Sequence, residues 1–130
     1  MALKQLVYSR KVTENEIDAL NHLNNVQYLN YVQDAAEKHW KALSNSKIDT
    51  QYVWVVLRHE IDYLKSAKLN DELEIKTWIG ESAGVKSERF VEILKNDVLI
   101  AKAKTVWCLL DSKTMRPVRI PLEIMNILYH

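Results

Sequence analysis

Asp18 and His22 stand four residues apart, Asn24 and Asn25 follow at once, and this polar run ends where a regular apolar repeat begins at Val26. A carboxylate and an imidazole are the side chains best suited to moving protons near neutral pH, and a carboxylate can also attack an electrophilic carbon. Both also have plain structural uses: Asp is common where a chain reverses, and a loop histidine can bond backbone. The other reactive types are scattered. His39 and His130 have no partner at metal-ligand spacing, and neither HxH nor HExxH occurs, so no metal is expected. His59 falls on the apolar side of an alternating run, the place of a core or interface histidine. Cys108, the single cysteine, sits between Trp107 and Leu109, where a small buried hydrophobe is its usual role.

Composition removes several classes of function. Lys and Arg number 18 and Asp and Glu 17, a net charge of +1 that gives no long-range field for a polyanion, so no nucleic acid partner is expected. Trp54, Trp78 and Trp107 accordingly read as packing residues, not as a stacking platform for bases. The two glycines, Gly80 and Gly84, cannot form a P-loop or a GxGxxG turn, which leaves nucleotide hydrolysis and dinucleotide redox chemistry unsupported. One cysteine excludes an intramolecular disulfide and fits a reducing compartment. Met1 to Val12 mixes polar residues where a signal peptide needs an apolar stretch, and no run of eighteen apolar residues occurs. A cytoplasmic protein without membrane insertion is expected, folded as one domain over residues 1–130.

The elements that must position Asp18 follow from periodicity. Residues 3–12 are β-rich and read as a first strand, followed by the aperiodic polar stretch Thr13 to Asn25. Val26, Leu29, Val32, Ala36, Trp40 and Leu43 recur at helical spacing and predict one long helix with this set as its apolar stripe, with Asn24 or Asn25 as its cap. Ser44 to Gln51 reads as a loop. The period then changes to two: Tyr52 to Leu64 predicts a strand with Val53, Val55, Leu57, His59, Ile61 and Tyr63 on one side and Arg58, Glu60 and Asp62 on the other. Glu72 to Gly80, Lys86 to Lys95 and Val98 to Leu110 predict three more strands, joined by a reversal at Gly80 to Gly84 and a two-residue turn at Asn96-Asp97. Such short joins require antiparallel neighbours. Leu122 to Tyr129 predicts a final helical turn or two. The sum is an α+β fold, an antiparallel β-sheet wrapped around one long central α-helix, and the hotdog fold is the commonest architecture with this order.

The segment Glu16-Ile17-Asp18-Ala19-Leu20-Asn21-His22-Leu23-Asn24-Asn25-Val26-Gln27-Tyr28-Leu29 resembles the signature of the 4-hydroxybenzoyl-CoA thioesterase-like, or YbgC-like, acyl-CoA thioesterases. Arg58 to Leu64 with Leu69 to Leu73, and Ala101 to Asp111 with Pro117, resemble later strands of the same family. The resemblance implies hydrolysis of an acyl-CoA or acyl-carrier-protein thioester, with Asp18 as nucleophile or as base for water. It implies His22, Asn24 and Asn25 as supporting or substrate-orienting residues. Backbone N–H groups of Val26, Gln27 and Tyr28 would meet the oxyanion at the positive end of the helix. Lys86 and Arg89 are candidates for the phosphates of coenzyme A, although charges on a strand are by default solvated. Coenzyme A enters as part of the substrate, so no cofactor is expected. Family members pair edge to edge with the site between subunits, which implies a homodimer or homotetramer.

The sequence departs from the family pattern in places. Asn21 replaces a glycine before the histidine, and asparagine tolerates the left-handed backbone such a turn needs. Glu16 replaces the usual aspartate. Plant acyl-carrier-protein thioesterases place an asparagine two residues after the aspartate, where Leu20 stands here, and their later glutamate has no counterpart, so the simpler bacterial arrangement fits better. A hotdog domain that binds acyl-CoA without hydrolysis is the main alternative, and the absence of an appended DNA-binding domain argues against a regulator. A hotdog hydratase or dehydratase needs Asp and His at another spacing than Asp18 and His22.

Overall fold

The computed structural model describes residues 4–130, so Leu3, the first residue of the expected opening strand, lies outside the described residues. The chain runs β1 (Gln5–Lys11), a 3-10 turn (Glu14–Glu16), α1 (Asn25–Leu43), α2 (Ser46–Gln51), β2 (Tyr52–Tyr63), β3 (Glu72–Ala83), β4 (Lys86–Lys95), β5 (Val98–Asp111) and α3 (Leu122–Tyr129). All five strands form one sheet in the order β1-β3-β4-β5-β2, every pair antiparallel. β2 and β3 follow one another in sequence yet do not pair. β2 crosses to the far edge beside β5, and β1 closes the opposite edge on β3. Helix α1 lies across one face. No described helix is long and apolar enough to cross a membrane.

The face that α1 buries keeps Val32 and Ala36 of the expected stripe, and Trp40 and Leu43 pack against the core, but Val26 falls outside it. Tyr28, Tyr31, Val32, Ala35, Ala36 and His39 are its buried residues, whereas Val26 is 61% exposed. Two tyrosines displace aliphatic residues because each ring is apolar while its hydroxyl finds a partner. Tyr31 donates to Glu16 Oε1 at 2.7 Å, and Tyr28 Oη accepts from the Ala67 N–H at 3.3 Å. The apolar core falls into two clusters. Tyr31, Val32, Ile75, Val91 and Ile93 belong to one, and Ile48, Ile79, Leu109, Ile124 and Leu128 to the other. Between them on the inner face of the sheet lie the buried polar residues Thr77, Arg89 and Thr105, met by His39 from α1.

β2 carries an irregularity between Val56 and Arg58, where two residues oppose one on β5. A bulge of this kind shifts the side-chain alternation by one, so the face reverses along the strand. Tyr52 and Trp54 pack against the second cluster before it, and Ile61 packs against the first cluster after it. The expected inward series therefore holds only from His59 onward, and Leu57, predicted inward, is 53% exposed. Ser46–Gln51 is a short helix where a loop was expected. Asn45 caps it by accepting from the Ile48 N–H at 3.0 Å, and Ile48 is buried.

The expected Asn96-Asp97 turn is present, both residues having positive φ (49° and 64°), as a tight hairpin between right-twisted strands requires. The other reversal is narrower than predicted. β3 continues through Gly80 to Ala83, and the turn is Gly84-Val85 with Gly84 at φ 63°. Gly80 serves close packing instead: a Cβ there would stand 2.5 Å from the Phe90 ring.

Glu16 ties β1, α1 and the loop between them. Its side chain is only 7% exposed and accepts from Tyr31 Oη, from the Thr13 N–H at 3.0 Å and from Arg10 Nη2 at 3.0 Å, while Arg10 Nη1 reaches Asp34 at 2.8 Å. Burial alone would raise its pKa, but the bonds from Thr13, Tyr31 and Arg10 together hold the carboxyl below its ordinary value. The stabilisation is thus complete at neutral pH, declines as pH falls below the unfolded-state value near 4.5, and is gone below the lower folded-state value. Glu16→Ala should lower unfolding stability by ~2–3 kcal/mol in urea titrations at pH 7, and by progressively less as pH is taken down from 4.5, because the wild type then loses the same stabilisation.

Candidate active site

Asp18 is placed by a closed loop. Its N–H donates to the His22 carbonyl at 2.8 Å, its carbonyl accepts from the Asn21 N–H at 3.0 Å, and Ile17 and Leu23 form a short antiparallel bridge across the neck. Asn21 adopts φ 63°, the left-handed conformation that the sequence required of it. Asp18 Oδ1 accepts from the N–H groups of Leu20 (2.9 Å) and His22 (3.1 Å), so one carboxylate oxygen shapes the turn. No protein donor meets Oδ2 among the described residues. His22 thus contacts Asp18 through its backbone; no bond links its ring to the carboxylate.

Asn24 caps α1, its Oδ1 accepting from the Val26 N–H at 3.0 Å. That cap changes which amide is free. The Gln27 N–H donates to the Asn24 carbonyl at 2.8 Å, and the Asn24 N–H donates to the Glu16 carbonyl at 2.9 Å. Val26 and Gln27, two of the three expected oxyanion donors, are therefore engaged. The Asn25 N–H has no protein acceptor among the described residues, and it stands at the positive end of the helix.

Asp18, His22, Asn25 and Tyr28 line one surface pocket of about 260 Å³ with Tyr63, Leu64, Lys65 and Ser66 from the end of β2. The sequence missed this second wall, since more than forty residues separate it from Asp18 and only the fold joins them. The joint is specific: the Leu23 N–H donates to the Ala67 carbonyl at 2.8 Å, His22 bridges Lys68, and the rings of Tyr28 and Tyr63 meet edge to face at 5.3 Å. The one signal in the sequence was the break of the alternation where two apolar residues, Tyr63 and Leu64, stand side by side.

The remaining candidates lie elsewhere. Lys86 is exposed beside the Gly84-Val85 turn, whereas Arg89 is 6% exposed beneath α1. Three residues apart on one strand, they point to opposite faces, so they form no common phosphate clamp and Arg89 is not a solvated surface charge. His59 Nδ1 is 2.9 Å from Thr105 Oγ1, and burial lowers its pKa, keeping the ring neutral at physiological pH. Cys108 is buried, as expected of a packing residue.

One long helix packed across a five-stranded antiparallel sheet defines a hotdog fold. Residues 12–128 match the family model of the thioesterase-like superfamily, and the chain belongs to that family. It is 25% identical over 124 residues to the acyl-CoA thioesterase YbgC of Haemophilus influenzae, covering 92% of this chain and 91% of that one. It is 26% identical over 109 residues to a chloroplastic palmitoyl-acyl carrier protein thioesterase of Cuphea hookeriana, covering 75% of this chain but only 26% of the longer plant protein. Among solved structures, a 1,4-dihydroxy-2-naphthoyl-CoA thioesterase from Synechocystis superposes with a TM-score of 0.83 at 18% identity, covering 96% of each chain.

Removing the cap tests this geometry. Asn24→Ala should cost ~1 kcal/mol of stability, read as a lower midpoint in thermal unfolding, whereas Asn21→Gly should leave the midpoint unchanged or slightly raised because φ is already positive.

Proposed function

We propose that this protein hydrolyses acyl thioesters of coenzyme A or acyl carrier protein, with Asp18 acting on the thioester carbonyl. The observation that carries the reading is the convergence of a carboxylate oxygen without a protein donor and an unpaired helix-N-terminal amide, that of Asn25, on one pocket. Asp18 Oδ2 can attack the carbonyl carbon or take a proton from water, while the Asn25 N–H and the helix dipole stabilise the oxygen as it becomes negative. Collapse of the tetrahedral species then expels the thiolate, giving the free acid directly when water attacked, or an Asp18 anhydride that a water then opens to the acid and the regenerated carboxylate. No cofactor enters this scheme. Lys65 on the pocket rim supplies positive charge for the phosphates of the carrier, and His22 lines the wall beside it.

The protein in this reading is a cytoplasmic homodimer or a higher homo-oligomer. β2 forms an edge of the sheet over twelve residues, and a long unpaired edge is a template for a second strand. Symmetric antiparallel pairing over its full length sets Tyr63 of one protomer beside Tyr52 of the other and keeps both helices on one face of a continuous sheet. Light scattering should give at least a dimer mass. A monomer at micromolar concentration contradicts the shared-edge arrangement.

Asp18→Asn keeps an oxygen to accept from Leu20 and His22, so the loop survives while the negative charge is lost. Thiol release from a panel of acyl-CoAs should fall by about 10²-fold or more in kcat, with an unchanged melting temperature. Full activity in this variant would refute the role of Asp18, and no release from any thioester by wild type would refute hydrolysis. Single-turnover reaction in oxygen-18 water tests the covalent role, because label in the Asp18 carboxylate arises only from an anhydride that water opens at the Asp18 carbonyl.

A further inference from the structure

A second cavity, of about 210 Å³ and open to solvent, lies at the other end of α1, lined by Trp40, Tyr52, Trp54, Ser87, Arg89 and Trp107. Its rim is aromatic, Trp40 and Trp54 meeting edge to face at 5.7 Å. Its floor is not. Arg89 Nη1 donates to His39 Nδ1 and to Thr77 Oγ1, both at 2.9 Å. Neither partner carries negative charge: burial first, and then the neighbouring Arg89, push the His39 pKa down to about 4, so the imidazole is neutral and its Nδ1 is an acceptor. Arg89 itself, lowered by burial to about 10, stays protonated at neutral pH.

Among the described residues no carboxylate lies within ion-pair distance of Arg89. Glu37, the one acidic residue on the cavity lining, is exposed and makes no pair with it. The Trp107 Nε1–H is buried with no acceptor, and the Ser87 hydroxyl is held at 2.7 Å by Ser82. An apolar fatty tail needs none of these donors. A buried guanidinium without a counter-ion is costly unless an anion compensates it, and an unpaired indole N–H from the lining of the same cavity adds to that cost.

We propose that this cavity receives the far end of the acyl group, and that Arg89, with the Trp107 N–H, selects acyl groups that end in a carboxylate. The inference rests on the thioesterase reading for its reaction and on edge pairing of β2 for its reach. With Tyr52 beside the partner's copy of Tyr63, the cavity of one protomer opens next to the Asp18 pocket of the other. A cavity of ~150 Å³ can hold a benzene-sized group, so a six-carbon tail fits, its methylenes against the indole faces and its terminal carboxylate on the guanidinium. Arg89 is in this scheme a specificity-determining residue.

Two measurements test it. The first compares hydrolysis of adipyl-CoA and hexanoyl-CoA, which differ only in the terminal carboxylate. Wild type should favour adipyl-CoA by about tenfold or more in kcat/KM, as expected for one charge-assisted contact. Arg89→Gln should bring that ratio to about one, and Arg89→Lys should restore most of it. A wild-type ratio of one or below, or a ratio that Arg89→Gln leaves intact, overturns the proposal.

The second needs no turnover. Quenching of the cavity tryptophans is titrated with hexanoate and with hexanamide, and hexanoate should bind about tenfold more tightly to wild type but not to Arg89→Gln. Equal binding of the two probes to wild type overturns the anion site. If no thioester is hydrolysed, the catalytic reading fails by itself, and this titration still decides whether the cavity recognises a carboxylate.

Discussion

The structure depends on one act of burial. Helix α1 is the long helix set against a broad sheet, so each supplies what the other needs to leave water, and the two must match along the length of the helix. The contact is not uniformly apolar. Two hydrophobic clusters occupy its ends, and a polar seam of Thr77, Arg89, Thr105 and His39 runs between them. A seam of this kind contributes less to stability than the same area of aliphatic packing. Because its members pair only with correctly placed partners, it also specifies how the helix sits on the strands.

The same burial explains why the site stands where it does. The N-terminus of α1 projects to the sheet edge that β2 forms, and the loop before it is held down by the carboxylate of Glu16, buried under Tyr31 and Arg10. Asp18 can then be exposed and still ordered, since its position is set by neighbours that are themselves fixed. One of its oxygens shapes the turn, and the other meets no protein donor among the described residues. Asn24 organises the first turn in the same way, its side chain accepting from the Val26 N–H and its carbonyl from the Gln27 N–H, while the Asn25 N–H has no protein acceptor among the described residues.

The bulge in β2 joins this site to the second cavity. Without it the strand would present one face throughout, and Tyr52 and Trp54 would lie on the opposite side of the sheet from Ile61. With it, one edge strand lines the aromatic cavity with its first half and ends at the Asp18 pocket with its last residues. The unpaired side of that strand lies along both.

How much of this was legible in the residues depends on range. The long helix, the paired strands, the Asn96-Asp97 turn and the tolerance of Asn21 for a left-handed backbone are local, governed by periodicity, turn chemistry and steric limits within a few residues, so the sequence by itself determined them. The Asp18-to-Leu29 motif is also contiguous, and resemblance put Asp18 forward as the candidate. Only the tertiary structure decided which amide of the first turn stays free, because the answer hangs on where the Asn24 side chain and carbonyl point. It also decided that Tyr63 to Ser66 complete the pocket, that β2 reverses its face at Leu57, and that Arg89 lies inside the protein. Each of these rests on contacts between segments far apart in the chain or on the register between strands, and no local pattern encodes such contacts.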